Sequence, residues 1–176
     1  STVEFSYIPN DALLVISNCS LVLNGRINKT NYTITKGVSN NITATNLEEN
    51  KYEWTINCTD SVGNTGTNDT LRVLYVDFTA PNITFITNNG TWYSDPTPDI
   101  YFNITDNFDS VLNYTVYADG VLENLSYAVN GTAIARNISA LQNGTHRIII
   151  ETYDDAYNLR NSTNLTIIID TALPNI

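Results

Sequence analysis

The sequence predicts an all-β chain folded as two tandem β-sandwiches. Three observations carry that prediction: alternating strand patterns, turn dipeptides between them, and an internal repeat. Lys51-Tyr52-Glu53-Trp54-Thr55-Ile56-Asn57-Cys58 alternates strictly, which in an extended chain turns Tyr52, Trp54, Ile56 and Cys58 to one side. Ile100, Phe102 and Ile104 share a face of a second run, and Leu165, Ile167 and Ile169 share one of a third. Asn24-Gly25, Asn89-Gly90, Asp119-Gly120 and Asn143-Gly144 separate such runs. These dipeptides accept the positive φ that tight hairpins need. No stretch of about ten residues carries a helical pattern.

The repeat sets the domain plan. Asp77-Phe78-Thr79-Ala80-Pro81-Asn82-Ile83 returns as Asp170-Thr171-Ala172-Leu173-Pro174-Asn175-Ile176. Trp54, Ile56, Cys58, Asp60 and Asn64 match Ile148, Ile150, Thr152, Asp154 and Asn158 at a constant offset of 94 (54 to 148, 64 to 158). Asn24-Gly25 matches Asp119-Gly120, Tyr32 matches Tyr127, and Asn41-Ile42-Thr43 matches Asn137-Ile138-Ser139. The copies run from 1 to 77 and from 78 to 170, and 171–176 begins another repeat or an inter-subunit linker. Ser1 to Phe5 aligns with Pro81 to Phe85. The first copy is shorter in its front half, so Leu13 to Asn24 must hold two strands with little turn between. Copies of about 80–95 residues with several short strands read as immunoglobulin-type sandwiches. One continuous barrel is the alternative.

Composition narrows the task. The chain of 176 residues carries eight Lys and Arg against 18 Asp and Glu, a net charge of −10. Binding nucleic acid requires cations that displace counterions from phosphate, so that class is excluded, and anionic membrane surfaces are disfavoured. No run of 18 apolar residues and no signal peptide fall within the chain. Methionine is absent even from position 1, as expected of a processed or excised stretch.

Sixteen Asn-X-Ser/Thr triplets stand in the chain, at Asn18, Asn28, Asn31, Asn41, Asn57, Asn68, Asn82, Asn89, Asn103, Asn113, Asn124, Asn130, Asn137, Asn143, Asn161 and Asn164. With 26 Asn and 35 Ser plus Thr, chance supplies about five such N-glycosylation signals. AT-rich codons do not explain the excess, because lysine codons are as AT-rich and only three lysines occur. In eight triplets, those at Asn31, Asn41, Asn82, Asn103, Asn113, Asn124, Asn137 and Asn164, the middle residue is apolar or aromatic. On a strand such a triplet turns Asn and Thr to solvent and its middle residue to the core. An extracellular glycoprotein is expected. There Cys19 and Cys58, an even count, suggest a bridge closing a loop of about 40 residues and worth roughly 4 kcal/mol. Two buried free thiols are the alternative.

The second copy resembles the tandem immunoglobulin-like repeats of prokaryotic cell-surface proteins. The likeness lies in the linker Asp77 to Pro81, the turn Asp119-Gly120, and Asn143-Gly144-Thr145-His146 leading into a late strand. The first copy resembles their N-glycosylated archaeal version, through Asn18-Cys19-Ser20-Leu21-Val22-Leu23-Asn24-Gly25 and Trp54-Thr55-Ile56-Asn57-Cys58-Thr59-Asp60. That resemblance implies that Cys19 and Cys58 are neighbours on adjacent strands, joined by a disulfide. The second copy holds Tyr114 and Thr152 at those places, so packing must replace the bridge.

Catalytic motifs are missing, and no enzyme is expected. No nucleophile elbow, zinc-protease motif, Cys-x-x-Cys or phosphate loop occurs. The single histidine, His146, reads as a half-exposed strand residue. Asp106 with Asp109, and Asp154 with Asp155, fall in polar loops, where burial that would raise a catalytic carboxyl is not expected. Calcium is the better use of such oxygens, with Asp60, Asp77, Asp106 and Asp109 as candidate ligands near the junction of the copies. The expected role is a subunit or stalk of a surface filament or layer, self-assembling with copies or further repeats. A terminal strand that completes a neighbour's sheet would serve this. An adhesin is the alternative, with Trp92, Tyr93 and Tyr101 as candidate binding aromatics. A substrate-positioning module of a larger secreted enzyme is a third.

Overall fold

The computed structural model describes residues 1–68 and 70–175. Asp69, the middle residue of one glycosylation triplet, and Ile176, the last of the expected next-repeat segment, lie outside the described residues. The chain divides into two compact units, Ser1–Asp77 and Phe78–Ile176. The described residues form sixteen strands and no helix, hence no helix long and apolar enough to cross a membrane.

The second unit is an immunoglobulin-like β-sandwich. Its smaller sheet sets β10 (Asp99–Thr105) between β8 (Asn82–Phe85) and β13 (Ala133–Asn137). The larger runs β12 (Val121–Val129), β11 (Val111–Ala118), β14 (Gly144–Tyr153), β16 (Leu165–Ile169), β9 (Thr91–Tyr93), with β15 (Leu159–Asn161) also on β14. All pairs are antiparallel except β9 with β16. The alternation read from the sequence is what closes the core. Ile100, Phe102 and Ile104 from one sheet meet Tyr114, Val116, Ile148, Ile150 and Ile167 from the other, all completely buried. Each such side chain contributes about 1.5–3 kcal/mol of transfer free energy. Phe102 and Tyr114 meet edge to face at 5.4 Å.

The first unit has a two-stranded sheet, β1 (Val3–Tyr7) with β4 (Asn40–Ala44). The facing sheet runs β3 (Arg26–Asn31), β2 (Ile16–Leu23), β5 (Asn50–Asp60), with β6 (Thr65–Thr67) and β7 (Arg72–Val76) sharing the far edge of β5. Its core gathers Phe5, Leu21, Leu23, Ile42, Ala44 and Val76. Cys19 and Cys58 lie directly opposite on β2 and β5 and form a disulfide. Tyr114 and Thr152 pair in the same way on β11 and β14, both completely buried.

Two expectations about the first unit are corrected. Leu13 to Asn24 holds one strand, β2, and not two: Asp11 accepts hydrogen bonds from the Leu13 and Leu14 amides in a tight turn, which leaves Leu13 and Val15 in solvent. Nor does Ser1 to Phe5 take the place of Pro81 to Phe85. β1 bonds β4 with Phe5 opposite Ile42, as β10 bonds β13 with Phe102 opposite Ile134. β1 is therefore the counterpart of β10. Sequence alignment favoured Phe85 because both segments alternate around one phenylalanine, and only strand pairing separates the two choices.

Candidate functional site

The acceptor triplets sit where strand geometry puts them. Ile42, Ile104, Tyr114, Ile138 and Leu165 are buried middle residues, and Ile83 is half-buried against the core. Three expectations fail, one of them at Thr115, which is buried instead of facing solvent. Tyr32 is 76% exposed because it lies just past the end of β3, and Leu125 is 67% exposed on β12. Asp119-Gly120 sets the register of the hairpin, and a bulge between Val116 and Tyr117 shifts it. Ala128 then faces inward, and Leu125, Tyr127 and Val129 face outward.

Of the sixteen asparagines nine are exposed, seven are half-buried and none is buried. Asn28, Asn41, Asn82, Asn89, Asn143, Asn161 and Asn164 are among the exposed ones. One half-buried asparagine is committed to the fold by its side-chain amide. Both hydrogens of Asn130 Nδ2 are used, donated to the carbonyls of Asp106 and Asp109 at 2.7 and 2.6 Å. The Oδ1 atoms of Asn57 and Asn124 are buried.

The carboxylates divide into loop hubs and one cluster. Asp60 Oδ1 accepts from the Val62 and Asn64 amides and Oδ2 from Asn64 Nδ2, so this candidate ligand is occupied within its own loop. Asp154 holds Asn158 by the same pair of bonds at 2.8 and 2.7 Å. The third position of that loop carries positive φ in both units, as Gly63 (93°) and as Tyr157 (65°). A tyrosine there is strained. Its ring stacks on Tyr153 with centroids 6.1 Å apart and is 82% exposed.

Asp106 and Asp109 come together as expected, and Asp155 joins them from a loop distant in sequence: its amide donates to Asp109 Oδ2 at 2.8 Å. Burial pushes the Asp109 carboxyl up, and the nearby Asp155, Asp106 and Asp154 charges push it further, against the lowering by the Asp155 amide. Asp106 Oδ1 takes two backbone amides, while its Oδ2 is buried and accepts no bond among the described residues. Asp155 thus brings a donor and not an oxygen ligand, so of the candidate cation ligands only Asp106 and Asp109 share this loop. Asp77 closes the first unit. His146, on β14, places Nδ1 2.7 Å from Asp119 Oδ2 and Nε2 2.8 Å from the Gln142 carbonyl.

The aromatics expected to mark a binding face do not share one. Trp92 is 66% exposed on the larger sheet, Tyr101 is partly exposed on the smaller, and Tyr93 packs against the core. The apolar surface lies elsewhere. On β12, one edge of which has no partner strand among the described residues, Leu122, Leu125, Tyr127 and Val129 are exposed on one face. In the adjoining strands Asn113 pairs with Tyr127 and with Tyr153, which extends this face to the Tyr153–Tyr157 stack. Sequence reasoning missed it because alternating apolar residues on β12 read equally well as core.

No protein-family model matches the chain, and no curated protein matches it. Among solved structures it is similar to fibronectin(III)-like modules of CbhA from Clostridium thermocellum, at 13% identity and a TM-score of 0.48, over 99% of this chain and 89% of that one. It is also similar to the central fibronectin-III array of RIM-binding protein, at 10% identity and a TM-score of 0.35, over 99% and 66%. Dimeric latent PorU from Porphyromonas gingivalis matches at 17% identity and a TM-score of 0.37, over 87% of this chain and 16% of that one. A sandwich fold hosts many tasks and specifies none.

Proposed function

We propose that this chain is an extracellular structural glycoprotein, a repeat or subunit of a surface filament or surface layer that assembles with copies of itself or further repeats. It is a scaffold and not an enzyme. The observation that carries this reading is the surplus of acceptor triplets, none of whose asparagines is buried. Glycans at the exposed positions would add hydrated bulk, hinder proteases and keep strand edges apart. The disulfide suits an oxidising compartment, and the net charge of −10 argues against nucleic-acid partners. Assembly through β12 fits its open, apolar edge, since unpaired edges seek partners. β1 is less suited to donation, being bonded to β4 of its own unit. Calcium held by Asp106 and Asp109, two of the expected ligands, would stiffen their loop.

An adhesin is the second reading, favoured by the outward Tyr127 and the Tyr153–Tyr157 stack, whose strained Tyr157 has no structural need to be aromatic. Electron microscopy of native shed material, with glycopeptide mass spectrometry of the same sample, tests the choice. Filaments or a lattice with this chain as the main glycosylated protein is the expected outcome. Unglycosylated chains would remove the glycoprotein reading, and isolated strands that bind purified glycans would favour the adhesin.

A further inference from the structure

The outer face of the larger sheet in the second unit carries a row of side chains that crosses β12, β11 and β14. Asn113 on β11 has Tyr127 directly opposite on β12 and Tyr153 directly opposite on β14. Residues so paired point to one face with their Cβ atoms about 4.5–5.5 Å apart. Tyr157 prolongs the row, its ring nearly parallel to that of Tyr153, with an angle of 10° between the planes. Tyr127 and Tyr157 are 70% and 82% exposed, and Asn113 is half-buried.

Asn113 is also the acceptor of Asn113-Tyr114-Thr115. Among the described strand pairings it is the one acceptor asparagine with an aromatic residue opposite it, and it has one on each side. Its side chain makes no hydrogen bond among the described residues, whereas Asn130 and Asn137 donate theirs to backbone carbonyls. In the first unit Asn18, another acceptor, holds the matching place beside Cys19, with Thr59 opposite. Gly63 stands there where the second unit has Tyr157. Glycine takes the positive φ of that loop freely, and tyrosine takes it under strain. Neither loop closure nor the core asks for this exposed ring.

We propose that the row seats the chain's own glycan: the first sugars joined to Asn113 Nδ2 lie across Tyr127 on one side and Tyr153 with Tyr157 on the other. A pyranose presents ring C–H groups on its flat faces and hydroxyls around its rim. The faces take the apolar, electron-rich surface of tyrosine, and the hydroxyls stay in water. The point of attachment decides the occupant, because these rings stand on strands only about 4.8 Å to either side. Attachment replaces one Nδ2 hydrogen: nitrogen bonds the anomeric carbon of a phosphate-activated sugar donor, the bond from that carbon to phosphate oxygen breaks, and the proton leaves with the phosphate. The backbone edge of β12 stays free for pairing. The inference rests on the reading of the chain as a glycoprotein.

The test uses the glycosylated chain from its native source. Peptide mass spectrometry first locates the sugars, and one on Asn113 is expected. Hydroxyl-radical labelling then compares this protein with Thr115→Val, which removes the acceptor signal and keeps the shape of a buried residue. Labelling of Tyr127 and Tyr157 should rise at least about threefold in the variant, as covered rings return to water, with exposed Tyr32 unchanged. Thr115→Ser retains the signal and should retain the protection, and Asn113→Gln should match Thr115→Val. By proton NMR, the sugar on Asn113 should resonate upfield of sugars on acceptors with no aromatic residue opposite, such as Asn82. Tyr127→Leu with Tyr153→Leu should abolish that shift. Sugars on other acceptors with Asn113 bare would overturn the proposal and leave the glycoprotein reading standing. Unchanged tyrosine labelling, or an unshifted sugar on Asn113, would do the same. No sugar on any acceptor would overturn both.

Discussion

Asp60 and Asp154 each accept from the backbone and side-chain amides of an asparagine four residues on, two bonds that the loops of both units share. Both aspartates are buried. Asp154→Ala would strand two donors where water cannot replace the carboxylate, so a loss of about 2–3 kcal/mol is expected from denaturant unfolding of the second unit. His146 makes a further residue-scale prediction. Its hydrogen bond to Asp119 holds the imidazolium and raises its pKa above 6.5, against partial desolvation, with the Gln142 carbonyl adding to the rise. Desolvation raises the Asp119 carboxyl, but the Arg147 amide and His146 outweigh it and leave it lowered. A raised pKa stabilises the fold fully below the unfolded value and loses that contribution as pH climbs through the folded value. The melting temperature of the second unit should therefore fall slightly from pH 6 to alkaline pH, by an amount worth about 0.5 kcal/mol for a pair whose carboxylate is 48% exposed. His146→Gln should flatten the trend.

At the scale of elements, the two hairpins show how far local chemistry reaches. Asn24-Gly25 and Asp119-Gly120 both adopt positive φ at both positions, and each turn's first side chain takes the amide of the neighbouring strand, Glu53 or Arg147, at 2.8 Å. That much was legible, as were β5, β10 and β16, because a strict period of two with one apolar face admits a single orientation. β12 was not. Its apolar residues fall on both phases of the alternation, and a bulge in the neighbouring pairing decides which phase is buried. The outward phase yields a prediction. Tyr127→Glu with Val129→Lys should leave the folded stability within about 0.5 kcal/mol, as exposed substitutions do. If β12 is the assembly edge, the same change should disperse polymer into single chains on sedimentation.

Across the whole molecule, duplication lets one unit report on the other. The disulfide stands where the second unit buries Tyr114 against Thr152, so the first unit alone depends on oxidation. Reduction should lower only the first unit's unfolding transition in calorimetry, by roughly 4 kcal/mol for a loop of this length. Repeat, acceptor triplets and the two-sandwich plan could be read from residues alone, since all rest on patterns a few residues long. The frame of the first unit and the approach of the Asp155 amide to Asp109 could not. Each depends on which strands and loops become neighbours, and pairing energy at that range comes from burial and backbone bonding between segments far apart in the chain. Alternation tells a strand which face to bury, and the tertiary fold alone tells it which strand to lie beside.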